Sequence, residues 1–438
     1  MPRTYPGNQA CKSVGAPAKI PGRRGGNDMA RVVLLQPPYL RALGSHNDRY
    51  PLELAYYAAH LRNEGHEALL VNADFTGSAA YIEWQRLFRN YRYLVDAMRF
   101  GSPLVDETVE RVVGLDPDVV VVSAGDSLVP WVDSGNAYWS AMFSGALRKA
   151  GLFTVGVGPF FDQVPERFRE DFDAILLGLP SAKISEVVRS RAAGCTSTGG
   201  FDVTVAPLRN LVDSHQAPDT LITSAGCPHS CTFCLGRDTG LSLLPRAVIE
   251  RDLSETRSTL VEIGDAIAPS LQRLSDLQPM FSSSGRHFSC EITVRQASPR
   301  RLDALRQAGV RVAKMGIESG DDEFLRAAGK KQSRSTILEA VRRLKDRGFH
   351  VVAYVLLGGP SSTPAVVAHT YDLCVELGAD EYVVNVWSHH DLANRDFRYD
   401  AHFSSTLAEE WGVSEYLPRF FNLQGSQKMG LGRIIRYG

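Results

Sequence analysis

The chain lacks any apolar run near the 18 or so residues that a membrane span requires, and its apolar runs, such as Val119–Val122, are strand-sized. Neither charge dominates: 48 basic residues stand against 49 acidic ones. The balance gives no reason to expect a polyanion or a membrane surface as partner. No G-x4-G-K-S/T run occurs, and no G-x-G-x2-G falls at a strand–helix junction, which sets aside a phosphate-cradling nucleotidase and a Rossmann dehydrogenase. The first residues hold no continuous apolar stretch of the kind a secretory signal needs. Met1–Asp28 is instead rich in Pro, Gly and basic residues without apolar periodicity. Residues 1–28 are expected to be a disordered basic arm, and Met29 would serve as an alternative start.

Cysteine is also scarce, and its number is odd. Of seven, Cys11, Cys195, Cys290 and Cys374 are scattered, which argues against a disulfide framework and for a reducing cytoplasmic setting. They also leave no second cluster for an auxiliary centre, and Cys290 and Cys374 read as buried apolar fillers. The other three, Cys227, Cys231 and Cys234, share the run Cys-Pro-His-Ser-Cys-Thr-Phe-Cys after the apolar stretch Leu221–Ala225. Three thiolates this close on a loop leaving a strand suit three irons of a cubane cluster, with the fourth iron open to chelate a substrate. The competing reading is zinc, which usually takes four ligands in two pairs. His229 lies within the loop, but no later C-x2-C or H-x3-5-H pair completes such a site.

The chain's 438 residues suffice for two or three domains. From Arg31 short apolar strands alternate with amphipathic helices: Arg31–Gln36, a helix over Pro51–Glu64 stopped by Gly65, then His66–Asn72, Asp118–Ala124, Phe153–Val157 and Ala174–Leu177. This pattern implies a doubly wound parallel sheet whose ligand crevice lies beyond the strands' carboxyl ends, at Gln36–Pro38, Ser123–Ser127 and Gly156–Phe160. A Gly-, Pro- and Ser-containing stretch, 196–220, reads as a linker. A second series follows: Leu221–Ala225, Thr259–Ile263, Phe288–Thr293, Val310–Ile317, Val351–Leu357 and Glu381–Trp387. Among its helices is Thr336–Arg347, for which Thr336 and Glu339 are expected to form a capping box. Six β/α units suggest a partial (β/α)6 TIM barrel with chemistry on the loops after each strand. The domains expected are 29–195, the linker, 221–395, and a C-terminal extension at 396–438.

The cysteine spacing, with Phe233 just before the third cysteine, resembles the signature of radical S-adenosylmethionine (radical SAM) enzymes. In the second series, Gly264-Asp265 partly resembles their Gly-Gly-Glu stretch, which contacts the methionyl amino group; Asp265 would otherwise be a helix N-cap. Gly316-Ile-Glu-Ser-Gly320 resembles the G-I-E-S-G stretch of members with an N-terminal cobalamin-type domain, which puts Glu318 and Ser319 beside the nucleoside. Gly358, in Leu357-Gly-Gly-Pro360, would let the wall approach adenine, or simply make a turn. Arg295, at the end of the third strand, suits a carboxylate or phosphate, or is an exposed loop arginine. Asp321 and Asp322 read as helix caps, and His389-His390-Asp391 as a solvated group or an acid–base one.

In the first series, V-L-L-Q-P-P, P-L-E-L-A-Y-Y-A-A-H-L-R-N-E-G-H-E, V-V-V-S-A-G and V-G-V-G-P resemble the cobalamin-binding domains fused to these barrels. That likeness nominates Gln36, Pro37, Ser123, Gly156 and Gly158 as cobalamin contacts. The D-x-H-x2-G run that supplies a histidine beneath cobalt is absent, as are a Gly-Gly pair at 156–158 and an acidic G-E-G-E stretch near Gly178. The resemblance therefore implies cobalt without a histidine ligand, or else a degenerate domain that only shapes the cavity. It further implies a 4Fe–4S cluster, S-adenosylmethionine and cobalamin as cofactors, and a flavodoxin- or ferredoxin-type electron donor. The expected activity is C-methylation of an unactivated carbon in a small metabolite or natural-product intermediate. A non-methylating dehydration, epimerisation, ring contraction or cyclisation is the alternative, and a zinc-stabilised binding protein the remote one.

Overall fold

The computed structural model describes residues 29–37, 50–73, 103–129, 135–163, 168–211, 219–234, 240–265, 270–359, 361–386, 411–421 and 423. The expected basic arm and His389-His390-Asp391 lie outside them. The first sheet has strands β1 (Arg31–Gln36), β2 (Glu67–Asn72), β3 (Val119–Ser123), β4 (Phe153–Val157), β5 (Ala174–Leu177) and β6 (Gly194–Ser197). Their order is β2-β1-β3-β4-β5-β6, and every pair is parallel. Parallel neighbours need crossovers, and the connections carry α1 (Leu52–Asn63), α2 (Pro103–Gly114), α3 (Gly135–Lys149), α4 (Pro159–Gln163) and α5 (Lys183–Ser190).

Strand alternation sorts the side chains into two cores. Val33, Leu35, Val120 and Val122 pack with Val105 of α2 and Phe143 of α3. Val32, Leu34, Val119 and Val121 pack with Leu54 of α1 and Ile184 of α5 on the other face. A sheet buried on both faces needs apolar residues throughout, which is why β3 reads as four consecutive valines.

The second sheet comprises β7 (Thr220–Leu221), β10 (Leu260–Ile263), β11 (His287–Ile292), β12 (Val310–Glu318), β13 (His350–Leu357) and β14 (Glu381–Val386), all parallel and in sequence order. Between them run α6 (Arg246–Glu255), α7 (Leu271–Ser283), α8 (Pro299–Gln307), α9 (Asp322–Ala327), α10 (Arg334–Lys345) and α11 (Pro364–Leu377), and α12 (Val413–Phe421) follows. One face sends Ala313, Met315, Ile317, Val351, Ala353 and Val355 into the main core. The alternate face carries charge: Lys314 reaches across β11 to Glu262 of β10 at 2.6 Å. Aromatic edge contacts seat α12 on α11, with Tyr371 5.4 Å from Phe420.

The fold is thus mixed α/β with two parallel sheets, and three local expectations need correction. Leu221–Ala225 is not one strand. It divides into β7 and β8 (Ser224–Ala225), and β8 pairs antiparallel with β9 (Ser242–Leu243). The box on α10 is formed by Ser333 and Thr336, not Thr336 and Glu339, because the helix starts two residues earlier. The sixth strand of the first sheet runs past the expected start of the linker.

That stretch is packed, not loose. Thr198 N–H donates to the Leu177 carbonyl, and Leu208 N–H to that of Ala55 on α1. Arg209 forks onto Asp252 of α6 through two 2.7 Å bonds, each side chain 3% exposed. Tyr50, Leu52 and Tyr56 from the first half, with Leu128 and Val129 from the loop after β3, join the core of the second. Among the described residues, no helix is long and apolar enough to cross a membrane.

Candidate functional site

The carboxyl ends of the second sheet's strands bring the nominated residues to one edge, beginning with the cysteine loop. Its approach is fixed by Asp265, the second residue beyond β10. Thr223 N–H donates to Oδ1 at 2.7 Å, the Thr223 hydroxyl to Oδ2 at 2.7 Å and the Ser224 hydroxyl to Oδ2 at 2.6 Å. Burial pushes this carboxyl above its ordinary range, and the bonds from Ser224 and Thr223 pull it back. Asp265 caps no helix among the described residues: the next of these is capped by Ser270. Both its oxygens are engaged within the protein, at the foot of the loop that carries the cysteines.

Cys227, Cys231 and Cys234 are half-buried, and the Cys234 N–H closes a turn onto the Cys231 carbonyl at 3.1 Å. Burial pushes the Cys227 thiol up; Cys231 and Glu291 add to this, while a His229 backbone bond and Lys330 oppose it. Desolvation, then the Lys330, Lys331 and Arg295 cations, hold His229 below the usual imidazole range. Arg295 itself is exposed on a 3₁₀ turn after β11. Among the described residues, no three His, Cys, Asp or Glu side chains converge as ligands of a single ion. A cubane cluster asks for a different arrangement, one thiolate on each of three irons. Three half-buried cysteines on one short loop, with cations beside them, fit that donor set.

The 328–332 segment, downstream of β12, braces this loop. Thr232 N–H donates to the Ala328 carbonyl at 3.1 Å. Gly329 has φ +75°, and a β-carbon there would meet the Ser230 carbonyl oxygen at 2.9 Å. Lys330 Nζ lies 2.8 Å from Glu318 Oε1 and 5.5 Å from the centroid of the Phe233 ring. Burial lowers the Lys330 pKa, but Glu318 outweighs it and the net shift is upward. Gln332 bonds the Gly316 and Ile317 carbonyls at the end of β12. The sequence pattern assigned Lys330 no role. It stands ten residues beyond Gly320 of the G-I-E-S-G stretch, and no local pattern ties the two together.

The other nominated residues divide. Glu318 sits at the edge, paired with Lys330, with φ +60°. Ser319 is fully buried and bonds Thr370 of α11 at 2.8 Å, so its hydroxyl serves packing between elements. Asp321 caps α9, accepting from Glu323 and Phe324 N–H, as expected. Gly358 and Gly359 both adopt positive φ, which makes a turn of the β13 exit. A β-carbon on Gly264 would stand 2.8 Å from Val129 Cγ2, so its bareness admits the first half of the chain.

At the first sheet's carboxyl edge, Ser123, Gly156 and Gly158 need no cofactor to explain them. The Ser123 hydroxyl bonds the Gly125 carbonyl. A β-carbon on Gly156 would crowd Phe161 and Phe172, and one on Gly158 (φ +119°) would meet the Ala124 carbonyl oxygen at 2.6 Å. Gln36 is half-buried and Pro37 buried at the β1 exit. Residues not anticipated gather here. Glu53 Oε2 accepts from Ser127 N–H at 2.8 Å, and Asp126 accepts from Glu53, Leu128 and Val129 N–H. Asp162 accepts from Gly178 N–H at 2.6 Å. Glu53 Oε1 and the Tyr57 hydroxyl are buried with no hydrogen-bond partner. Orphaned acceptors and donors at this edge fit a polar ligand better than an inert wall.

Residues 221–374 match the radical SAM superfamily. The chain is 30% identical over 108 residues to the oxygen-independent coproporphyrinogen III oxidase of Paracoccus denitrificans, covering 24% of each chain. It is 25% identical over 374 residues to the hopanoid C-2 methylase of Rhodopseudomonas palustris, covering 77% of this chain and 64% of that one. It thus spans less than two thirds of the length of either relative. Among solved structures it resembles the radical S-adenosylmethionine methyltransferase TsrM of Kitasatospora setae, determined with cobalamin and a 4Fe–4S cluster. The TM-score is 0.59 at 16% identity, over 82% of this chain and 76% of that one. Residues 221–374 therefore form a radical SAM domain, within a chain that shares the fold of a radical SAM methyltransferase across both of its sheets.

Proposed function

We propose that this protein is a cobalamin-dependent radical SAM C-methyltransferase acting on an unactivated carbon of a small metabolite or natural-product intermediate. The observation that carries the reading is likeness over both sheets: the match to TsrM extends over 82% of the chain, well beyond the radical SAM domain alone. In this reading residues 29–195 are a Rossmann-like cobalamin-binding domain and 221–395 the partial (β/α)6 barrel, with 196–220 between them and an extension at 396–438. Cys227, Cys231 and Cys234 hold the 4Fe–4S cluster. Phe233, Arg295, Glu318 and Gly358 border S-adenosylmethionine, while Gly264 and Asp265 shape its site from behind. Cobalamin lies over the first sheet's carboxyl edge, beside Gln36 and Pro37, where Glu53 Oε1 and the Tyr57 hydroxyl offer partners. When bound, these groups would supply one-electron cleavage of S-adenosylmethionine to a 5′-deoxyadenosyl radical and a transferable methyl. The chain's own part is to hold both on one cavity and keep water away. A flavodoxin- or ferredoxin-type protein in the cytoplasm would deliver the electron.

The test is anaerobic reconstitution with iron and sulfide, followed by ultraviolet–visible spectra with and without hydroxocobalamin, and then analysis of S-adenosylmethionine products. Cluster absorbance, cobalamin retention and release of both 5′-deoxyadenosine and S-adenosylhomocysteine are expected. Cleavage without cobalamin retention or S-adenosylhomocysteine would favour the non-methylating alternative. Replacing Cys227, Cys231 and Cys234 together by alanine should abolish the cluster absorbance and all cleavage while leaving the fold intact, since the loop lies at the sheet edge. Retention of about four irons per chain would refute the ligand assignment.

A further inference from the structure

A partly buried ion pair beside the cysteine loop combines two unfavourable features. Lys330 and Glu318 meet at 2.8 Å with side chains 18% and 9% exposed, and taking both charges out of water opposes their attraction. Glu318 also holds a left-handed backbone, φ +60°, which a residue with a β-carbon adopts at some strain. The sequence accommodates both: a β-carbon at Gly316 would collide with Glu318 Oε1 and stand 3.0 Å from Lys330 Nζ. A surface cation could be had without these conditions. What this arrangement secures is an ammonium at a fixed point, over the Phe233 ring and against the loop.

The neighbouring cations are placed differently. Lys331 and Arg295 are exposed, so water and salt screen their fields. Lys330 acts through a medium of lower polarity, where a unit charge counts for more. Its backbone is fixed as well, since Gly329 abuts the Ser230 carbonyl and Ala328 accepts from Thr232. We propose that Lys330 is a positioning residue that raises the reduction potential of the cluster, with Glu318 as the counter-charge that limits the rise. This rests on the cluster reading above. The step affected is addition of one electron, from an external low-potential reductant, to the oxidised cluster. The product carries one more negative charge, and a fixed cation favours it.

The experiment is a redox titration of the reconstituted full-length protein, monitored by electron paramagnetic resonance, without S-adenosylmethionine and with iron measured per chain. At the wild-type midpoint, Lys330→Met should lower the ratio of reduced to oxidised cluster at least about fivefold, and Glu318→Gln should raise it. Lys330→Arg, which keeps the charge, should stay within about twofold. Opposite shifts in the two charge-removing variants are not expected of a merely structural pair, whose loss would disturb both alike. Unchanged ratios in both, with iron retained, overturn the proposal. If Lys330→Met alone fails to hold iron, the Glu318→Gln shift decides: a raised ratio supports the role and an unchanged one overturns it. Failure of the wild-type protein itself to assemble a cluster would instead overturn the cluster reading.

Discussion

At the scale of single residues, desolvated carboxyls at the first sheet's edge make stability depend on pH in an unusual direction. Burial pushes Asp162 up to about 7, while the bond from Gly178 N–H pulls it down. An unfolded aspartate titrates near about 3.9. The folded state therefore holds this proton more tightly, so the group's contribution is fully present below about pH 4 and is lost as pH rises through about 7. Asp162→Asn keeps an acceptor for Gly178 and removes the titration. Urea midpoints at pH 5 and pH 8 should differ less in the variant than in the wild type. An unaltered difference would assign the slope to other groups, of which Glu53, raised by burial and by Asp126, is the nearest candidate.

At the scale of elements, the anchoring of the cysteine loop is the feature most open to test. Asp265→Asn preserves shape but loses the charge that receives three bonds. Stability should fall by about 1–3 kcal/mol, and iron uptake should drop although every cysteine remains. Full iron content at reduced stability would confine Asp265 to the scaffold. This anchor also explains what the sequence left unread. Apolar runs marked β1, β3, β4, β5 and β10 to β14 within a residue or two, because strands buried on a face require them. Leu221–Ala225 looked like one such run, yet Asp265 draws Thr223 and Ser224 out of line, a long-range contact that no local pattern carries. β6, Gly-Cys-Thr-Ser, is short, polar and at the sheet edge, so it has no apolar signature. The cysteine triad was legible because its spacing is local. Lys330 was not, because its value comes from Glu318 and Phe233, which only folding brings near.

At the scale of the molecule, the two halves are joined by more than the chain. Arg209 and Asp252 are both almost completely buried, and the guanidinium stands 4.8 Å over the Tyr50 ring. Arg209→Met would leave Asp252 charged and unpaired, at an expected loss of about 3–5 kcal/mol. Arg209→Met with Asp252→Leu should recover most of it, since an apolar pair avoids the buried charge. Chemical denaturation of the wild type and these two variants would check this. No recovery in the double variant would mean that the fork also holds the 198–211 segment against both halves.

The contact between Gly264 and Val129 carries a consequence for inheritance. Alanine at 264 should be poorly tolerated alone, and alanine at 129 should leave a hole, whereas the two together should partly cancel. A double-mutant cycle should return a favourable coupling of about 1–2 kcal/mol, and additivity would show that the loop after β3 simply yields. A chimaera that takes its first half from a relative would then dock only if the side chain opposite 264 arrived in the matching size. The two halves can drift in sequence over most of their length, but at this one point of meeting they would have to change as a pair.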